Sequence, residues 1–98
     1  MATVIVPQPG ATSNGSAAIT TGGTAQQIFA ANASRKFFFF QNISDTAMWL
    51  NFGVAAVADQ PSIQVAAGAI YREDMCCASE YISVICATTG KKFVAKQR

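Results

Sequence analysis

Residues 35–53 constrain this chain more than any other part of it. Four consecutive phenylalanines, Phe37, Phe38, Phe39 and Phe40, lead into the polar stretch Asn42-Ile43-Ser44-Asp45, and then into Met48-Trp49-Leu50-Asn51-Phe52-Gly53. Most of the chain's seven Phe residues and its single Trp fall here. Aromatic and branched side chains suit a pleated, half-buried surface, while Asn, Ser, Asp and Gly suit the turn between two such runs. The pattern predicts two strands and a turn, the central hairpin of an all-β domain.

Alternation in the second strand sets Met48, Leu50 and Phe52 on one face and Ala47, Trp49 and Asn51 on the other. The first strand is apolar on both faces, with Phe37 and Phe39 opposing Phe38 and Phe40. A strand of that kind needs cover on both sides, from its own chain or from a partner. One row is expected to fill the core. The other makes Phe37 and Phe39 candidates for a subunit interface.

Further strands are expected at 24–29, 62–65, 69–73, 80–87 and 92–96, separated by Gly-, Ser- and Thr-containing turns. Ala66-Ala67-Gly68 and Thr88-Thr89-Gly90-Lys91 are two of these, the latter read as a hairpin turn. No segment keeps an apolar period of 3.6 residues. The expected fold is a single antiparallel β-sandwich over residues 24–98, jelly-roll or Ig-like.

Residues 1–23 are expected to form an extended N-terminal arm. Val4, Ile5 and Val6 are a short β-prone patch closed by Pro7 and Pro9, and residues 10–23 are small and uncharged. Two readings stay open. The arm is either disordered, or it adds a strand to a neighbouring subunit through Val4, Ile5 and Val6.

Charge is sparse, at 12% of residues, and uneven. Nothing before Arg35 is charged, whereas Lys91, Lys92, Lys96 and Arg98 crowd the other end. Such a cluster suits nucleic acid, an acidic surface or plain solvent. Phe93 alone stands among these cations, which is no base-stacking platform, so nucleic acid is not expected as a partner. The start lacks a secretory leader pattern, and no apolar run is long enough to span a membrane as a helix. A soluble protein made in a cytoplasm is the expectation.

The chain contains no histidine, which removes the commonest general base and nitrogen ligand. There is no GxSxG elbow and no phosphate loop after Gly22-Gly23. Asp45, Asp59, Glu73, Asp74 and Glu80 read as solvated turn or strand-end acids. Cys76, Cys77 and Cys86 lack zinc-ligand spacing. Cys86 shares a face with Ile82 and Val84 and is expected in the core. Cys76 and Cys77 are either inert thiols or candidates for an interchain disulfide. No enzyme activity, metal or cofactor is expected. Trp49, Tyr71 and Tyr81 are a conceivable sugar-stacking platform, with core roles the plainer reading. The Asn-x-Ser triplets at Asn14, Asn32 and Asn42 are read as coincidence.

One resemblance gathers these features. Gly23-Thr24-Ala25-Gln26, Ala30-Ala31-Asn32-Ala33-Ser34-Arg35, Gln41-Asn42, Ser44-Asp45-Thr46 and Trp49-Leu50-Asn51-Phe52-Gly53 resemble a family of small structural proteins of tailed bacteriophages. Ser62-Ile63, Ala66-Ala67-Gly68 and a C-terminal strand pair extend the likeness across residues 23–96. The chain departs from that pattern at Ile43, where Pro is common, and at Cys76-Cys77. The resemblance implies a virion β-sandwich, foremost a head decoration or cement protein, made in a bacterial cytoplasm. Its partners would be the major capsid protein, other virion proteins and further copies of itself, with no membrane involved. A neck, collar or tail component and a carbohydrate-binding attachment module are the alternatives.

Overall fold

The computed structural model describes residues 12–74 and 77–98. Nine strands run in chain order: β1 (Ser13–Asn14), β2 (Ala17–Ala18), β3 (Gln26–Phe29), β4 (Phe37–Asn42), β5 (Met48–Phe52), β6 (Ile63–Val65), β7 (Ile70–Asp74), β8 (Ile82–Cys86) and β9 (Lys92–Gln97). No helix occurs among the described residues. The strands form two antiparallel sheets. In one, β1 and β2 both lie along β9, followed by β4 and β7; in the other the order is β3-β8-β5-β6.

Taken as two halves of one interrupted strand, β1 and β2 leave eight strands whose chain order switches sheets at every step but one. Only β5 and β6 are consecutive neighbours within a sheet. That alternation is the jelly-roll arrangement; an Ig-like sandwich keeps more of its consecutive strands side by side.

The topology corrects the central hairpin. β4 pairs with β7 and β9, whereas β5 pairs with β6 and β8, so the two aromatic strands belong to opposite sheets. The physical reason is the core. Phe38, Phe40, Met48 and Leu50 are all fully buried. A hairpin would set these two rows side by side on one sheet; the sandwich sets them face to face and removes both from water. Burying side chains of this size stabilises by about 1.5–3 kcal/mol each. The turn at 88–91 likewise carries the chain between sheets, from β8 to β9, rather than closing a hairpin. Gly90 makes this possible with φ of +86°, where a side chain would strain the backbone.

The core comprises Ile19, Phe29, Phe38, Phe40, Met48, Leu50, Val65, Ile82, Val84, Cys86, Phe93 and Ala95. Phe40 stacks on Phe93 with centroids 5.3 Å apart, and Phe38 meets Phe29 edge-on at 6.2 Å. Such aromatic geometry adds about 0.5–1.5 kcal/mol per pair beyond burial.

Residues 12–23, expected as part of an arm, lie on the sandwich. Ser13 pairs with Gln97 and Ala17 with Phe93. Between them Gly15 N donates to the Ala95 carbonyl (2.8 Å), and Ala95 N donates to the Ser16 hydroxyl (3.0 Å). A side chain thus completes the ladder where the strand is interrupted. Ile19, at 1% exposure, then enters the core. Val4, Ile5 and Val6 lie outside the described residues.

Candidate contact face

The outer face of the β4-containing sheet is built around Phe37 and Phe39. They alternate with buried Phe38 and Phe40, so they point away from the core and remain partly exposed. β4 is central in its sheet, and the register sets a neighbour on each side of every outward residue. Phe39 lies between Arg72 of β7 and Lys96 of β9, and Gln41 between Ile70 and Val94. Phe37 faces Asp74 across the ladder, and the Arg98 guanidinium sits 5.4 Å from the centroid of its ring. That cation–π contact holds the end of the chain over the aromatic row.

The face therefore has two halves. One carries Phe37 and Phe39 among Arg72, Lys96 and Arg98; its acid, Asp74, is bonded to Arg72 at 2.8 Å. The other is mainly aliphatic, flanking Gln41. Ile70 is 54% exposed, and Ile43, just beyond β4, is 50% exposed. Beside Ile43 lies an open, mostly apolar depression of about 380 Å³, lined by Ala17, Ala18, Phe93, Val94 and Lys92 among others.

Cations and aromatics that stand apart along the chain are thus interleaved once it folds, contrary to the expectation from sequence. Lys96 and Arg98 have no aromatic between them, yet β pairing lays β9 beside β4 and inserts Phe39 between Lys96 and Arg72. The signal lies in strand register, which local sequence does not carry. The opposite sheet differs: residues of its 53–62 loop fold back over its outer face. Ala56 is buried there, with its N–H donating to the Ser83 hydroxyl at 3.0 Å.

Arg35 anchors the entry to β4. It is 5% exposed, and its guanidinium donates to the carbonyls of Ala30, Ala78 and Glu80 and to the Gln97 side chain at 2.6–3.0 Å. Burial pulls its pKa down, opposed by Cys77, Glu73 and Glu80 nearby. Alongside, the Tyr71 hydroxyl donates to Glu73 Oε2 at 3.0 Å, and the Glu73 Oε1 accepts from Ala78 N. The Tyr71 pKa is pushed up to about 12, first by burial and then by Glu73.

Asn42 anchors the exit. Fully buried, its Nδ2 donates to the Thr46 and Val65 carbonyls, and its Oδ1 accepts from the Ser44 backbone and hydroxyl. An amide with both hydrogens engaged inside the fold offers no glycan attachment point. Neither Arg35 nor Asn42 announced this role in sequence, because Ala78, Glu80 and Gln97 for the one and Val65 for the other lie in segments distant along the chain.

The remaining candidates separate in space. Cys86 is buried and faces inward opposite Met48. Cys77 is partly buried, with its Sγ 3.4 Å from the Glu73 carbonyl, and Cys76 lies outside the described residues. Trp49 faces away from the core, between Gln64 and Ile85, which corrects its reading as a core aromatic. Tyr71 packs inward on Phe38 and Phe52, in the opposite sheet from Trp49, so no three-ring sugar platform forms. Asp45 reaches Lys91 at 2.6 Å, and that bond holds its carboxyl below the ordinary range. Among the described residues, no group of three or more Cys, Asp or Glu could hold a metal ion.

Comparison with models of known families, with curated proteins and with solved structures returned no match.

Proposed function

We propose that this protein is a non-enzymatic structural subunit of a virion, a head decoration or cement protein that binds the capsid through the outer face of its β4 sheet. One observation carries this reading: Phe37 and Phe39 point outward from the centre of a sheet whose inner row already fills the core. Aromatic and arginine side chains are enriched in protein interfaces, and a monomer has no folding reason to keep both rows of a strand aromatic. The jelly roll supports the reading, since it recurs in viral capsid proteins, although the same fold also serves lectins. The resemblance across residues 23–96 points the same way.

A cement subunit adds contact area across capsid seams and so resists internal pressure. Particles lacking this protein are expected to lose heat resistance, and re-addition should restore it. Re-addition of the Phe37→Thr/Phe39→Thr variant should not. Unchanged heat resistance on removal of the protein would sink the proposal. Copy number separates this reading from a neck or tail component: hundreds per particle on a head, about a dozen in a ring of modest symmetry.

A further inference from the structure

We infer that the surface docking on this face is a protein surface with an apolar centre and carboxylates at its rim. The inference rests on the preceding reading, that the β4 face is a protein contact, and adds the chemistry of the partner.

Charge is the first ground. Arg72, Lys96 and Arg98 surround Phe37 and Phe39, and Lys92 continues the outward row of β9 into the depression. The acids nearest the face are already bonded, Asp74 to Arg72 and Asp45, just beyond Ile43, to Lys91. The face is therefore net positive around an apolar middle. A second copy presented face to face would set these cations either against their own counterparts, which disfavours docking, or over the aliphatic half, where no carboxylate meets them. The partner is thus not the same face of another copy.

The aliphatic half is the second ground, and it separates protein from nucleic acid. Aromatic rings among cations also suit stacked bases. Here, however, the Arg98 guanidinium already lies over Phe37. The surface then runs past Val94, Ile70 and Ile43 into a depression of about 380 Å³, where Lys92 is the one charged residue of a mainly apolar lining. Such a hollow, walled mainly by small and aliphatic side chains, suits one or two apolar side chains better than it suits stacked bases. An apolar knob beside carboxylates matches both halves at once.

The test uses the full chain and two labelled peptides of equal length, one alternating Glu with Leu and Phe, the other with Lys in place of Glu. Anisotropy titration should show the acidic peptide binding about tenfold tighter or more, with the preference shrinking as salt shortens the screening length. Lys96→Glu/Arg98→Glu alters two exposed side chains and should abolish the preference, with its fold verified by circular dichroism. Equal binding of the two peptides overturns the inference. So does low-salt self-association that Phe39→Thr abolishes, which would make a second copy the occupant. Displacement of the acidic peptide by a single-stranded dT oligonucleotide but not by polyglutamate overturns it in favour of nucleic acid. The two readings fail differently. If Phe39→Thr abolishes peptide binding while charge reversal leaves it unchanged, only the acidic rim is wrong; if Phe39→Thr changes nothing, the contact face itself is wrong.

Discussion

Arg35 shows how much of this fold rests on single polar side chains. Its guanidinium ties the 30–34 connector, the 77–80 segment and β9 together through charge-assisted bonds, which contribute about 1.5–3 kcal/mol each. Arg35→Ala takes the shared donor from the partly buried Ala30, Ala78 and Glu80 carbonyls, and a loss of about 1–3 kcal/mol is expected in urea unfolding. Arg35→Lys should recover little, because an ammonium cannot reach acceptors arranged around a planar fork. Tyr71 makes a different prediction. Its hydroxyl titrates near 10.0 when unfolded and about 12 when folded, so above pH 10 the unfolded chain gives up its proton first. Stability is therefore full below pH 10 and declines as pH rises towards 12. Tyr71→Phe should flatten that decline in denaturation curves collected across the window.

At the scale of elements, the corner after β4 decides the topology. Asn42 closes it by donating to the Thr46 and Val65 carbonyls from a site with no water access. Asn42→Ala is expected to cost about 1–3 kcal/mol, the penalty for unsatisfied buried carbonyls. Asn42→Asp should cost more at neutral pH, because a carboxylate would face those carbonyls without a donor, and lowering the pH should recover part of the loss. Thermal melts of both variants at two pH values check this. Strand content, turn positions and the alternating core of β4 and β5 were legible in the residues themselves. The pairing of those strands was not. Asn42-Ile43-Ser44-Asp45 has the composition of a hairpin turn, and nothing in it says that the Asn42 amide is spent on holding two sheets together. Ile19 was hidden for a similar reason: it is one large aliphatic residue in a run of small and polar ones, and its backbone is held by Gly90 and Lys91, more than seventy residues later in the chain.

For the molecule as a whole, the candidate face was half legible. Two apolar rows on β4 required a second covering, and Phe37 and Phe39 do point outward. The cations around them came from opposite neighbours in the sheet, and only the assembled register joins them. That register has a consequence during synthesis. β9 is translated after the other eight strands, yet it lies between β4 and the paired β1 and β2 at the middle of its sheet. Until it leaves the ribosome, β4 lacks one neighbour and Ser13 to Ala18 have none of their ladder partners. Contacts this distant in sequence make folding slow and expose apolar strands in the interim. A chain ended at Gly90 should accordingly show no cooperative melt, and adding a synthetic peptide covering residues 91–98 should restore one. Nascent copies therefore carry their four phenylalanines on a strand short of one neighbour until the last of the sheet arrives, and that interval is when a chaperone would find them.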